Sequence, residues 1–197
     1  SPHLPYEKNV TLVIDKNLSP GNYPLVLLIS YQDANGYPFS SLFSSTLAYK
    51  NPSSSTVFGI IRPLKLAGKK TRELVLEVRN LDQKAHKVKI NLFLPREFKI
   101  DSNEKILQLK PKEEREVKFK VSSFGALPGS NYPIFASLQY EESRMHYSSI
   151  AGGILSVVEE SQLEEKEGNQ EIILFLSILT FVILVVISLY YKLKHER

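Results

Sequence analysis

The fold is decided by two neighbouring stretches, TRELVLEVRN at residues 71–80 and HKVKINLFLP at residues 86–95. In both stretches apolar side chains alternate with polar ones: Leu74, Leu76 and Val78 in the first, and Val88, Ile90 and Leu92 in the second. Successive side chains of a β-strand point to opposite faces, so this alternation predicts two strands that each bury one face. The polar connection around Asn80-Leu81-Asp82 predicts a turn between them.

Similar strand-like runs continue on both sides of these two stretches. Together the runs lie at about 57–62, 71–80, 86–95, 105–110, 115–123, 132–141 and 145–158, and no amphipathic helix separates them. Seven strands in about 100 residues, each with one apolar face, are typical of a β-sandwich. We therefore expect an all-β fold, with a complete antiparallel immunoglobulin-like sandwich over residues 59–158.

The segment 4–41 repeats the pattern of the segment 109–149 at an offset of about 107 residues. Each segment has an alternating apolar run, a Pro-Gly turn, the motif Asn-Tyr-Pro, an apolar strand that ends in tyrosine, and a second aromatic strand. The alternating runs are Val10, Leu12 and Ile14 in the first copy, and Val117, Phe119 and Val121 in the second. An offset of this size matches the length of one sandwich domain, which indicates tandem repeats.

The first copy shows only the last strands of such a unit. We interpret residues 1–58 as the C-terminal half of an immunoglobulin-like repeat, its front half expected upstream of residue 1 or supplied by a partner. Half a sandwich with open edges is marginally stable alone. The segment SPHLPYEKNV at residues 1–10 lacks the apolar stretch of a signal peptide, so we expect a removed signal peptide or a longer protein.

These motifs carry a resemblance to a known class of domains. The pattern L-x-P-x-E-x₂-V-x-F-x-V followed by PG-x-NYP, together with LVLEVRN and VKINLFLP, resembles the immunoglobulin-like repeats of archaeal S-layer-type surface proteins. It is also similar to cell-adhesion-type and α-galactosidase-associated sandwich modules. The resemblance implies a non-catalytic, extracytoplasmic, repeated module from an archaeon, commonly held by a C-terminal membrane helix.

The C-terminal segment predicts a membrane anchor. Residues 172–191 form a run of 20 residues without charge, which as a helix reaches roughly 30 Å, the thickness of the hydrocarbon core of a bilayer. Residues 159–171 hold six glutamates and predict an acidic stalk, whereas the basic residues of the tail 192–197 predict a cytoplasmic C-terminus. We therefore expect a single-pass protein of the cell membrane whose N-terminal domains are extracytoplasmic.

The residue inventory excludes several kinds of chemistry. The chain has no cysteine, which excludes thiol nucleophiles, disulfides and cysteine-ligated metals. The four histidines are scattered, and Asp33-Ala34-Asn35-Gly36 fits a hairpin turn better than a calcium loop. We expect no enzyme activity, no catalytic residue, no cofactor and no metal ion.

Two asparagines lie in glycosylation sequons, Asn9-Val10-Thr11 and Asn17-Leu18-Ser19. Both fall on the side of the membrane predicted to be exported, so Asn9 and Asn17 are candidate N-glycosylation sites and the protein a candidate glycoprotein. The tyrosines of the two Asn-Tyr-Pro motifs, Tyr23 and Tyr132, are expected to pack at the entry of their strands.

The net charge of +4 conceals an uneven distribution. Residues 60–158 carry 18 basic and 11 acidic side chains, whereas the stalk is strongly acidic. An excess of this kind on an extracytoplasmic domain suits acidic glycans or anionic lipids, and we expect no nucleic-acid partner.

These observations favour a non-catalytic, membrane-anchored scaffold or interaction subunit of a cell-surface layer or membrane complex, with protein partners. Two alternatives stay open. The chain is then either the accessory and anchoring module of a secreted, carbohydrate-active hydrolase, or an accessory subunit of a transporter or respiratory complex.

Overall fold

The computed structural model describes residues 7–160 together with Ser177 and Thr180. Its eleven described strands are β1 (Gly21–Gln32), β2 (Pro38–Tyr49), β3 (Val57–Ile61), β4 (Leu64–Ala67), β5 (Arg72–Asn80), β6 (His86–Phe93), β7 (Phe98–Ile100), β8 (Glu104–Leu109), β9 (Glu114–Ser123), β10 (Asn131–Glu142) and β11 (Met145–Val158). The all-β prediction is confirmed for residues 7–158, where every helix or strand assigned is a strand.

The strands form two sheets. One has the order β3-β5-β9-β7, and the other has the order β2-β1-β11-β10-β6-β8, with β4 added beside β11. The alternation that predicted β5 and β6 is the cause of this layering, because Leu74, Leu76 and Val78 from one sheet and Val88 and Ile90 from the other are all fully buried. Phe119 of β9 is the largest of the fully buried side chains. Strands β3 to β11 therefore form a sandwich around one apolar core.

The strand prediction was correct for the seven longer strands of the sandwich and incomplete elsewhere. The short strands β4 and β7 were not predicted, because four and three residues are too few for a visible alternation. Strand β4 pairs in parallel with β11, at Leu64 beside Leu155. The sandwich is therefore not purely antiparallel, which corrects the expectation of an antiparallel fold. Strand β3 begins at Val57, two residues before the predicted domain boundary.

The first repeat copy is only partly ordered into strands. Its hairpin β1–β2 forms over twelve cross-strand pairs, from Gly21 opposite Tyr49 to Gln32 opposite Pro38. The predicted Asn35-Gly36 turn closes this hairpin, with Gly36 at a φ of 78°. The strand predicted at Val10, Leu12 and Ile14 is wrong for this structure, since residues 7–20 contain no strand. An isolated strand has no hydrogen-bonding neighbour, whereas its counterpart β9 pairs with β5 and β7.

The predicted stalk, anchor and tail (159–171, 172–191 and 192–197) lie largely outside the described residues. Within the described residues, no helix has the length and apolarity needed to cross a membrane. Ser177 and Thr180 are helical, and the Thr180 hydroxyl donates to the Ser177 carbonyl oxygen at 2.9 Å. The membrane anchor stays a prediction.

Candidate functional site

The base of the β1–β2 hairpin is fixed to the start of β11. Gly21 is the one residue of β1 paired with β11, and it lies beside His146. The His146 amide donates to the Pro20 carbonyl oxygen at 2.8 Å, and the Ser148 hydroxyl donates to the Asn22 carbonyl oxygen at 2.7 Å. The absence of a side chain at Gly21 permits this approach, because a Cβ there would lie 1.9 Å from the His146 carbonyl oxygen.

An aromatic stack reinforces the base. The rings of Tyr23 and His146 are parallel within 4°, with centroids 4.1 Å apart, and Glu141 Oε1 lies 2.6 Å from His146 Nδ1. Burial raises the pKa of the Tyr23 hydroxyl, which donates to the Ser19 carbonyl oxygen at 2.7 Å. Tyr23 thus packs at the strand entry as predicted from its motif, and its partner His146 was not foreseen.

The far end of the hairpin is held by a buried carboxylate. Glu97, in the β6–β7 connection, accepts hydrogen bonds from the Ser40 amide at 2.6 Å and from the Ser40 hydroxyl at 2.5 Å. The Ser40 hydroxyl oxygen also accepts from the Arg96 amide at 2.8 Å, and the Tyr37 hydroxyl donates to the Gly125 carbonyl oxygen at 3.1 Å. Removing one partner of such a buried pair leaves an unsatisfied polar group, at a cost of about 1–3 kcal/mol.

One face of the hairpin is turned to the sandwich. Leu42 is buried there, and Val26 and Leu28 help to line a cavity of about 310 Å³ together with Leu92 and Phe98, although Leu28 is 42% exposed. Side chains on a strand alternate between faces, so the odd-numbered residues of β1 point the other way. We call the side formed by Leu25, Leu27, Ile29, Phe43 and Leu47 the outer face.

The outer face is largely apolar, and Leu27, Ile29 and Phe43 are exposed on it, whereas Leu25 and Leu47 are half-buried. Leu27 is 57% exposed, Ile29 48% and Phe43 54%, and Leu27 lies directly opposite Phe43 in the register of the hairpin. Clusters of large exposed apolar side chains on one sheet face are typical of surfaces at which proteins associate. The outer face is therefore the candidate functional site.

The second repeat copy shows what such a face does when it is covered. Counted from the shared Asn-Tyr-Pro motif, Leu25, Leu27 and Ile29 correspond to Ile134, Ala136 and Leu138 of β10, all of them fully buried. A Cβ placed at Gly59 of β3 would touch Leu138, and a Cβ placed at Gly153 would touch Ile61 of β3, so the opposite sheet covers this face. The outer face lacks such a cover within the described residues.

The segment before the hairpin shows the same contrast. Val10 is 69% exposed, Leu12 53% and Ile14 37%, whereas their counterparts in β9 belong to the buried core. Segment 9–15 thus has the side-chain pattern of a core strand without the neighbours of one.

Both candidate glycosylation sites lie in this region. Asn9 and Asn17 are exposed, and the backbone N–H of Asn17 donates to Asp15 Oδ1 at 2.8 Å within a turn. Exposure leaves both side chains accessible to modification, and glycosylation of Asn9 and Asn17 stays a prediction.

The strongest cluster of metal-ligating side chains lies elsewhere, beside the β5–β6 turn. Asp82, His86 and Glu142 place their ligand atoms within 4.8 Å of one another. Each already has a protein partner: Asp82 Oδ2 lies 2.9 Å from His86 Nε2, and Glu142 Oε1 lies 2.5 Å from the Lys84 ammonium. Within the part of the chain that the structure describes, these three residues could together hold a divalent cation, provided that Lys84 moves away from Glu142. Sequence reasoning missed this cluster because Glu142 comes from a distant strand.

The same cluster gives the turn a pH dependence. The hydrogen bond from His86, together with the Gln83 amide, lowers the pKa of the Asp82 carboxyl. A carboxyl whose pKa is lowered on folding stabilises the fold above its unfolded pKa of about 3.9, and this contribution is lost as the pH falls through the folded value.

We expect Asp82→Asn to lower the melting temperature of the full chain at pH 6, because the amide replaces a charged hydrogen bond by a weaker neutral one. The difference from the wild type should begin to shrink as the pH falls below about 3.9, and it should vanish only below the lowered folded pKa of Asp82, where the wild-type carboxyl is also protonated. Thermal melts between pH 3 and pH 7 measure both effects, with the exposed carboxyl of Glu7 changed in Glu7→Gln as the control. A difference that does not vary with pH would show that Asp82 acts through packing alone.

Much of the basic charge on the sandwich is paired locally. Arg62 contacts Glu77 at 2.6 Å and Glu116 at 2.5 Å, and Lys118 contacts Glu73 at 2.9 Å. These pairs lie on the outer side of β3, β5 and β9, where each contributes at most about 1 kcal/mol. The basic side chains on this side of the sandwich therefore attract acidic partners less strongly than the charge count of residues 60–158 suggests.

No protein-family model matches the chain, and no characterised protein matches it in sequence. Among solved structures, α2-macroglobulin from Escherichia coli, from domain MG7 to its C-terminus, is 19% identical over 54% of this chain, with a TM-score of 0.46. A point mutant of Salmonella α2-macroglobulin is 15% identical over 71% of this chain, with a TM-score of 0.45. The ASH/PapD-like domain 7 of human CEP192 is 14% identical over 56%, with a TM-score of 0.36.

This chain spans only 17% and 9% of the two macroglobulin structures, whereas the match covers 90% of the human domain. At these identities and TM-scores the matches assign neither a family nor a function to this chain. Its own strands β3 to β11 show an all-β sandwich.

Proposed function

We propose that this chain is a non-catalytic interaction subunit, and that the outer face of its β1–β2 hairpin docks a partner protein at a cell surface. One observation supports the proposal above the others: Leu27, Ile29 and Phe43 are about half exposed although the hairpin that carries them is fixed at both ends. An apolar face held rigidly in water costs free energy that a partner recovers by covering it.

The proposed occupant is a β-sheet of a partner protein with an alternating apolar face. Its chemistry is inferred from the second repeat copy, where the counterparts of the outer face pack against the sheet β3-β5-β9-β7. Two sheets that pack face to face lie about 10 Å apart and interlock their apolar side chains. The hairpin and the partner sheet would thus form a second sandwich.

Segment 9–15 has a place in this arrangement. Its counterpart β9 belongs to the covering sheet, so segment 9–15 is proposed to become an additional strand at the edge of the partner sheet. Val10, Leu12 and Ile14 then point inwards, and Asn9 points outwards because it alternates with them. A glycan on Asn9 is compatible with docking.

The proposed location of the sandwich outside the cell is inferred from the sequence pattern at the C-terminus. An uncharged run at 172–191 between an acidic segment and a basic tail fits a single-pass anchor with the sandwich outside the cell. The partner is accordingly sought in a surface layer or a membrane complex. The resemblance to archaeal S-layer-type repeats supports the same setting.

In-cell photo-crosslinking at position 27 tests the proposal. The full chain with a C-terminal tag carries a photoreactive phenylalanine analogue in place of Leu27, and a matched control carries it at Ile106, which is 59% exposed on β8 of the sandwich. We expect a discrete adduct from position 27 and at least tenfold less from position 106. The peptide joined to position 27 should have the alternating apolar pattern of a strand.

The same cells report the sidedness. Protease added outside intact cells should remove the adduct and leave the C-terminal tag protected. An adduct between two copies of this chain, a crosslink within one chain, or equal labelling from both positions would contradict docking of a partner sheet. Protection of the sandwich from external protease would contradict the location alone.

A further inference from the structure

Apart from the outer face, a concave surface lies at the tip of the hairpin, where β1 and β2 meet the β6–β7 and β9–β10 connections. It is an open pocket of about 630 Å³, within the usual range for small-molecule sites. Three aromatic residues of the hairpin, Tyr31, Tyr37 and Phe39, form one wall, and Phe124 stands on the sandwich side. The pocket thus exists only because the hairpin is fixed to the sandwich.

The aromatic wall presents ring surfaces to the solvent. The rings of Tyr31 and Phe39 are nearly parallel, 18° apart, with centroids at 5.7 Å, and Tyr37 is tilted by 56° against Phe39 at 5.3 Å. Tyr31, Tyr37 and Phe124 are all exposed. Exposed ring faces in a concavity favour a ligand with a flat, weakly polar surface, such as the C–H face of a sugar ring.

The charge at the pocket rim selects the sign of the ligand. Arg96 lines the pocket and is exposed, and within the described part of the chain no carboxylate pairs with its guanidinium. The Lys99 ammonium lies 5.2 Å from the centre of the Phe124 ring, at the same end. Glu97 also lines the pocket, but both of its carboxylate oxygens already accept hydrogen bonds from Ser40. The rim therefore offers cations to a ligand, and an arginine fork binds a carboxylate with two hydrogen bonds.

From this juxtaposition of stacked rings and an arginine that pairs with no carboxylate among the described residues, we infer that the tip pocket binds a carboxylate-bearing sugar unit of an acidic glycan. The sugar ring lies against Tyr31 and Phe39, its carboxylate reaches Arg96, and Gln32 at the wall offers an amide to hydroxyl groups. The choice of a glycan over a soluble metabolite rests on the proposed extracytoplasmic location. The binding itself is tested on the purified chain, independently of that location.

The test uses trigalacturonate as the probe and the neutral sugar galactotriose as its counterpart. The full chain in a neutral detergent is titrated with each by calorimetry, next to the variants Arg96→Gln and Lys87→Gln. Arg96 and Lys87 are both exposed and basic, but only Arg96 lines the tip pocket. We expect saturable binding of trigalacturonate, about tenfold weaker binding by Arg96→Gln, no change in Lys87→Gln, and at least tenfold weaker binding of the neutral sugar.

Three results would overturn the inference. The first is no saturable binding of trigalacturonate at millimolar concentration. The second is an equal loss in both variants, which assigns binding to diffuse surface charge. The third is binding of phosphatidylglycerol vesicles that depends on Arg96 while trigalacturonate does not bind, which assigns the pocket to a lipid headgroup. Equal melting temperatures of the wild type and both variants verify that folding is unaffected.

Discussion

Replacing Gly21 with alanine is expected to release the base of the β1–β2 hairpin from the sandwich while the sandwich stays folded. A Cβ at this position would lie 1.9 Å from the His146 carbonyl oxygen and 2.7 Å from its carbonyl carbon. Because these are backbone atoms of a paired strand, the clash is relieved only by moving the chain. The pairing of Gly21 with His146 and the hydrogen bond from His146 to Pro20 are then lost together.

Amide hydrogen exchange of the full chain measures this release. We expect protection at the base of the hairpin, around Gly21 and its partner Tyr49, to fall by about a hundredfold or more, since this end then opens locally, while β5, β9 and β10 keep their protection. Gly125→Ala is the matched control, because a Cβ at Gly125 meets no atom within 4 Å. Unchanged protection of the hairpin in Gly21→Ala would show that the base contact does not hold it.

The second large effect is expected from charging the outer face with the double variant Leu27→Glu and Phe43→Glu. These side chains lie opposite each other and are more than half exposed, so the isolated chain should stay folded and lose only about 1 kcal/mol of stability, because two like charges then face each other across the strands. Docking is different, because burying an unpaired carboxylate costs several kcal/mol. We expect the affinity for the partner sheet to fall by about a thousandfold or more.

The loss is measured as the yield of crosslinks from an analogue placed at Ile29, which lies two residues along β1 from Leu27 on the same face. A matched double variant, Phe58→Glu with Ile106→Glu, charges two exposed apolar residues of the sandwich and should leave that yield unchanged. Equal losses in the two variants would indicate that charge in general, and not the outer face, controls the association.

The alternating strands could be predicted from the sequence because burial of one face leaves a period of two, as in Leu74, Leu76 and Val78. The turn at Asn35-Gly36 was also predictable, since its backbone requires a positive φ. The candidate site was predictable only in part. The repeat pointed to an incomplete first unit, but alternation alone does not tell which face of an apolar hairpin is covered.

What could not be predicted depends on contacts between residues far apart in the sequence. Ser40 and Glu97 are 57 residues apart, and the sequence around neither residue indicates that the two are in contact. The same holds for Tyr23 with His146, and for Glu142 beside His86. Segment 9–15 shows the converse, because its strand pattern is clear and its neighbours are missing from the described chain.

The most direct test of the central claim is amide exchange in segment 9–15 of the chain extracted from its own membrane with its partners in mild detergent. If a partner sheet covers the outer face, segment 9–15 is hydrogen-bonded as a strand. Its amides should then exchange at least a hundredfold more slowly than in the same chain purified alone. The amides of β1 and β2 should also exchange more slowly in the assembly. Exchange in the extracted assembly as fast as in the purified chain, at both segment 9–15 and the hairpin, would contradict the account.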